Sequence, residues 1–226
     1  MKNLLFFSSN QDKIIEIKKI FKNRNKKILS LNDFPKVKMP KETGREFVVN
    51  AKIKSLYGFK QFRIPCFADD SGICISALNN KPGIHSKRFF EKFQNKKELF
   101  KYIIKKVYIS KNTSAYFTTI ICFTLKIGQY VIFEGKISGN IAEIPRGKNG
   151  FGYDPLFIPI GHKKTLAEMG NKEKNTISHR SLAINKFINF LSNWFLKFCH
   201  LKFAQYPNFF QLHYFWNKNL HRYHQI

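Results

Sequence analysis

Residues 67–75 read FADDSGICI, two adjacent carboxylates and a Ser-Gly step between an apolar approach and an apolar exit. Taken alone, the stretch has two readings. Asp69 and Asp70 form an Asx turn ahead of Gly72. Alternatively, they are oxygen donors for a divalent cation beside a nucleotide, where one or two carboxylates complete a shell of phosphate and water. The rest of the chain decides between them.

Upstream, residues 3–7 (NLLFF) read as a short, fully buried strand. SSNQDK follows, and then a helix in which Ile14, Ile17, Ile20 and Phe21 recur at helical spacing. KKILSL at 26–31 reads as a second strand, ahead of a loop with Pro35 and Pro40. Thr43 to Glu46 has the spacing of a capping box, with Phe47, Ala51 and Ser55 on one face of the next helix. Downstream, 115–125 and 129–137 read as a strand pair turning at Gly128. RGKNGFGYDP at 146–155 is a glycine-rich loop. The last clear helix begins near Ser178, with Ile184, Phe187, Ile188, Leu191 and Phe195 on one stripe. Strands alternating with helices predict an α/β domain.

Bulk properties narrow the function. A chain of 226 residues suits one domain, or one domain with an appendage. No apolar run is long enough to span a bilayer, and MKNLLFF is too short for a secretory leader, so a cytoplasmic location is expected. Cys66, Cys74, Cys122 and Cys199 include no C-x-x-C pair and read as structural thiols. The net charge of +26 invites a nucleic-acid reading, but only 7 of the 40 basic residues are arginine. Arginine is the side chain suited to bidentate base and phosphate contacts. The lysines are spread along the chain beside plentiful Asn, Ile and Phe, which fits a drift toward AT-rich codons at least as well as a phosphate-tracking groove, and attraction of a small polyanion is equally compatible with the charge. Residues 196–226 are aromatic and basic, without a clean period, and hold four of the seven histidines. They read as an extension of a domain covering 1–195.

Four constellations carry chemistry. SSNQDK at 8–13 ends a strand in small polar residues and places Lys13 one turn into a helix. That is an ordinary N-cap or a phosphate cradle of backbone N–H groups, helix dipole and ammonium. Glu42 and Asp70, from separate stretches, suit one Mg²⁺, with Lys54 able to reach the same anion. Gly147, Gly150 and Gly152 permit a sharp loop around Phe151, whose ring is either core or a stacking platform. His179 and Arg180 stand in the first turn of a helix capped by Ser178, where a cation opposes the helix dipole. That conflict favours a ligand-facing role.

In order, SSNQDK, ETGREFVVNA (42–51), PCFADDSGICISAL (65–78), KPGIHSKR (81–88), GKNGFGYDPLF (147–157), KTLAEM (164–169) and EKNTISHR (173–180) resemble the inosine triphosphate pyrophosphatase family over roughly residues 1–195. The resemblance implies an α/β fold of two lobes, a central mixed sheet flanked by helices, and a site in the cleft. It also implies a homodimer, and from the bulk properties neither a membrane nor a nucleic-acid partner is expected. The implied reaction is Mg²⁺-dependent hydrolysis of ITP, dITP or XTP to the monophosphate and pyrophosphate. Ser8, Ser9, Asn10, Gln11, Asp12 and Lys13 would cradle the triphosphate, with Lys54 assisting. Glu42 and Asp70 would hold the metal, Asp70 would take a proton from the attacking water, and Asp69 would support it. Ser71 would contact the nucleotide, and Phe151 would stack on the purine beside Gly152, Tyr153 and Asp154. Lys174, His179 and Arg180 would complete the base pocket.

The chain departs from the family pattern in four places. Ser9 stands where glycine is common, so the turn there must avoid a glycine-only conformation. Val49 replaces an acid, His85 replaces a tyrosine or similar residue, and the stretch after about 195 has no counterpart. The competing expectation is a basic nucleic-acid binder with a decayed nucleotide site, or a pyrophosphatase acting on other modified nucleotides.

Overall fold

The computed structural model describes residues 3–22, 26–35 and 37–205, with side chains to residue 193 apart from Asn171. His200 lies beyond the described side chains, and His213, His221 and His224 lie beyond the described residues altogether. By contacts the chain forms two units, Met1–Lys186 and Phe187–Ile226. The second unit begins within a helix that runs from His179 to Gln205.

The first unit is built on a seven-stranded mixed sheet. β1 (Asn3–Phe6) lies between β2 (Lys27–Ser30) and β3 (Cys66–Ile75), parallel to both. β5 (Ser114–Lys126) and β6 (Gln129–Ile141) continue the sheet antiparallel from β3, and β7 (Phe157–Pro159) closes that edge. β4 (Lys81–Pro82) pairs with the end of β3. The helices are α1 (Gln11–Phe21), α2 (Phe47–Phe62), α3 (Ser86–Glu91), α4 (Lys96–Ser110), α5 (Asn171–Ile177) and α6 (His179–Gln205). This is the expected α/β fold with a central mixed sheet flanked by helices.

Two local expectations are corrected. The acidic pair makes no turn, because β3 runs unbroken from Cys66 to Ile75 with ten residues in register against β5. Burial of the flanking apolar residues and the ladder to β5 outweigh the Asx preference. Nor does Thr43 open α2 with a capping box. The helix begins after an extended Glu46 that makes no side-chain cap. The backbone N–H of Gly44 instead donates 2.8 Å to Asn50 Oδ1 inside the helix.

The core is divided along β3, and that division places the acids. Cys66 and Ala68 belong to a cluster with Leu5 and Phe7. Ile73 and Ile75 belong to another with Leu99, Ile103, Phe117 and Phe157. Between them lie Asp69, Asp70, Ser71 and Gly72. β1 pairs with β3 only as far as Phe67, apart from one further bond from Phe7 N–H to Phe67 O, and β4 resumes pairing at Cys74. On that side the intervening residues have no ladder partner among the described strands. Polar side chains sit where neither cluster could bury them dry. The three cysteines with described side chains, Cys66, Cys74 and Cys122, are buried and free, as structural thiols should be.

Candidate active site

The chain leaves β1 beside this gap. Asn10 caps α1, its Oδ1 accepting from Lys13 N–H at 3.1 Å, and Asn10 N–H donates to the buried Ser8 Oγ at 3.3 Å. Ser9 is exposed and is not among the residues with positive φ, so serine is accommodated where a glycine was expected. Gln11 is exposed and pairs both ways with the Asn32 amide, while Asp12 is exposed in the first turn.

Successive strand residues project to opposite faces. Asp69 and Asp70 therefore serve different partners. Asp69 Oδ2 lies 2.9 Å from Lys13 Nζ and 3.3 Å from Arg180 Nε, and it accepts from Ser71 Oγ at 2.6 Å. Burial would raise its pKa, but Lys13 and Arg180 outweigh burial and hold the carboxyl well below the usual carboxylate range. Lys13 Nζ also lies 3.0 Å from Ser71 Oγ. Burial lowers the lysine's pKa even with Asp69 opposing.

Asp70 Oδ1 accepts from Lys54 Nζ at 2.9 Å, and the same ammonium lies 2.8 Å from Glu42 Oε1. Lys54 is only 6% exposed. Burial would neutralise it, but Asp70, Asp69 and Glu42 together raise its pKa instead. Asp70 itself is shifted upward by burial, which Lys54 only partly offsets. The described residues contain no group of three or more metal-type ligands. Two hard carboxylates from separate elements nevertheless converge on a single cation, the Lys54 ammonium. That donor set fits a Mg²⁺ whose remaining ligands come from phosphate and water.

The other end of the site is a loop. Gly147, Gly150 and Gly152 all have positive φ, the sharp conformation their spacing predicted. At Gly150 a Cβ would also lie 2.1 Å from Asp154 Oδ2. That oxygen accepts from Phe151 N–H at 2.8 Å and pairs with Lys174 Nζ at 2.8 Å. Burial pushes the Asp154 carboxyl up, and Lys174 pulls it partly back. The half-buried Phe151 ring has Lys174 Nζ 5.2 Å and Arg180 Cζ 5.5 Å from its centroid. It lines a groove with Asp12, Ile15, Glu16, Lys19, Gly150, Lys174 and Asn175. Tyr153 does not join it. The ring is 6% exposed, lies edge-on to Phe90, and its hydroxyl donates 2.8 Å to the Ser86 carbonyl.

Ser178 caps α6 through Ser181 N–H at 3.1 Å. His179 is buried and stacks on Phe117 with 4.6 Å between centroids and 7° between planes. Burial, then Arg180, depress its pKa well below the ordinary histidine value, leaving a neutral imidazole whose Nδ1 has no partner. Arg180 spends its guanidinium on Asp69, Ser71 and Glu16. Those partners answer the conflict with the helix dipole.

Glu16, Asn50 and Phe117 are participants the sequence reading missed. Glu16 was legible only as one more polar residue between the buried Ile14 and Ile17. Of the residues expected, Lys54 and Asp70 pair with Glu42, and beside them, through the adjacent Asp69 of β3, Lys13, Asp69, Ser71 and Arg180 share a separate network with Glu16. Phe151, Asp154 and Lys174 join it through Arg180 over the ring.

The sequence model of the Ham1 family matches residues 4–190. The chain belongs to the Ham1 family. Among curated relatives, the Ham1-family chain is 39% identical over 191 residues to the dITP/XTP pyrophosphatase of Elusimicrobium minutum, covering 81% of this chain and 96% of that one. It is 38% identical to the dITP/XTP pyrophosphatase of Flavobacterium johnsoniae, covering 84% and 97%. Among solved structures, a HAM1 protein from Coxiella burnetii superposes with a TM-score of 0.77 at 35% identity, covering 85% of this chain and all of that one. The Staphylococcus aureus Ham1 protein gives 0.75 at 33%, covering 85% and 99%. Among the described residues, no helix is long and apolar enough to cross a membrane.

Proposed function

We propose that this chain hydrolyses nonstandard purine nucleoside triphosphates, ITP, dITP or XTP, to the monophosphate and pyrophosphate, with Mg²⁺ held by Glu42 and Asp70. The observation that carries the reading is the convergence of two charge networks on adjacent residues of β3, Asp69 and Asp70. Paired acids, the loop after β1 and the aromatic loop are linked through Arg180, which touches Asp69 and lies over Phe151.

In this reading Lys13, Lys54 and the N–H groups opening α1 receive the triphosphate. When bound, Mg²⁺ would offset charge on the phosphate oxygens and lower the pKa of a nearby water. The water oxygen forms a bond to the α-phosphorus while the bond from that phosphorus to the bridging oxygen breaks, and pyrophosphate leaves. Asp70, on the strand edge, accepts the water's proton. Lys13 and Lys54 oppose the negative charge that grows on the leaving oxygens. Asp69 does not serve as a second base, because two cations and the Ser71 hydroxyl hold it ionised. It keeps Lys13 and Arg180 in place.

Base selection follows from donors. Phe151 offers a face for stacking, and Arg180, with five N–H donors of which Asp69, Glu16 and Ser71 take three, offers the remaining N–H groups to a 6-carbonyl. Adenine presents an amino group there and would leave those donors facing hydrogens, a mismatch that discriminates strongly without proofreading. Two further expectations attach to this reading, a homodimer and a cytoplasmic location. Sedimentation in solution checks the first.

Incubation with ITP and Mg²⁺ tests the reaction. Phosphorus NMR should show the monophosphate and pyrophosphate, with ATP turned over far more slowly. Orthophosphate and a diphosphate as first products would contradict the reading.

A further inference from the structure

We infer that Asn50 is a positioning residue of the cation site. The two ends of its carboxamide fix the Glu42 loop and the Asp70 carboxylate relative to each other. The inference rests on the proposed reading that Glu42 and Asp70 hold the divalent ion.

Asn50 lies one turn before Lys54 on α2 and is 2% exposed. Its Oδ1 accepts from Gly44 N–H at 2.8 Å. Only the amide oxygen can accept from a backbone N–H, so this bond settles which way the carboxamide faces. Nδ2 is then the end directed at Asp70 Oδ2, 3.5 Å away. Gly44 stands two residues after Glu42, so one side chain ties the loop bearing one carboxylate to the other carboxylate itself.

Three features make the tie specific. The carboxamide serves the incoming loop rather than the helix end, since Glu46 makes no side-chain cap. The loop passes too close for a side chain at residue 44, where a Cβ would lie 2.7 Å from both Asn50 Oδ1 and Val49 Cβ. Lys54 and Asn50 divide the Asp70 carboxylate between them, Lys54 on Oδ1 and Asn50 on Oδ2. With Glu42 and Asp70 as the residues that would hold a divalent ion, Asn50 would orient the Asp70 carboxylate from its Oδ2 side. An outer-shell partner of this kind typically contributes 10- to 100-fold in metal affinity or activity.

The test is Mn²⁺ binding to the full chain, followed by electron paramagnetic resonance of free Mn²⁺ with the α,β-methylene analogue of ITP at saturation. Asn50→Ala should weaken Mn²⁺ binding about 10- to 100-fold. In steady state the concentration of metal for half-maximal rate should rise by a similar factor, with kcat at saturating metal changed far less. Gly44→Ala, which displaces the loop without removing the amide, should shift Mn²⁺ affinity in the same direction. It decides the matter if Asn50→Ala does not fold. Mn²⁺ affinity within about twofold of the parent in the folded variants, even with a lowered Tm, would leave Asn50 a purely structural residue and overturn the inference. Asp70→Asn is the control. Parental Mn²⁺ affinity in that variant would overturn the cation-site reading itself, an outcome distinct from failure of Asn50→Ala alone.

Discussion

The two ends of the site are built on opposite principles. At the end proposed to receive the phosphates, Asp69 and Asp70 sit on a strand of the central sheet, and each is matched by cations from elsewhere in the chain. Asp69 faces Lys13 and Arg180, and Asp70 shares Lys54 with Glu42. At the base end a half-buried ring stands between two positive-φ glycines, and cations lie over its face. The first arrangement holds charge in a fixed place before any ligand arrives, which is what electrostatic catalysis requires. The second presents an open surface and a few donors, which is what selection among similar bases requires. Arg180 belongs to both.

That contrast predicts effects of different size and kind. Asp70→Asn strikes the proposed phosphate end at its centre and should reduce kcat on ITP by more than about 10³-fold, because in the proposed reading it removes a proton acceptor and a metal ligand together. Unchanged circular dichroism would show that the fold survives. Arg180→Met should chiefly erode choice, lowering the ITP-to-ATP ratio of kcat/KM by about 10²-fold. If both substrates fall equally, Arg180 acts at the phosphates and the division between the ends is wrong. Phe151→Ala should raise KM for ITP about tenfold through lost stacking, with kcat less affected; a comparable value for stacking on aromatic side chains applies to single-stranded bases.

The smallest effect concerns stability and pH. Asp69 has a folded pKa below its unfolded one, so it contributes stability above the unfolded value of about 4 and loses that contribution as pH falls toward the folded value. The difference in urea midpoint between parent and Asp69→Asn should therefore be widest near neutral pH and should narrow as pH drops below about 4. A constant difference across that range would mean that Asp69 is not held ionised by Lys13 and Arg180.

Much of this was legible in the sequence, unevenly and for physical reasons. The Gly-Phe-Gly loop and the hairpin at Gly128 are local features, and local conformational preferences announce them. The capping box at Thr43 and the turn at Asp69 are local readings too, and both yielded to long-range demands. The strand had a ladder to complete against β5, and the Gly44 N–H had a better acceptor in Asn50. Glu16 and Asn50 gave no local signal. Their meaning lies in partners 164 and 20 residues away, which only the folded chain brings near. The expected role of Tyr153 beside the purine meets a similar contrast, since its ring and hydroxyl are committed to Phe90 and Ser86.

The whole account turns on attack at the α-phosphorus, with the paired acids and Lys13 gathered around it. Hydrolysis of ITP in water enriched in ¹⁸O, read by mass spectrometry of both products, tests this directly. One labelled oxygen in the monophosphate and none in pyrophosphate is the expected result. Label in the pyrophosphate would place the attack at the β-phosphorus and contradict the geometry assigned to Asp70.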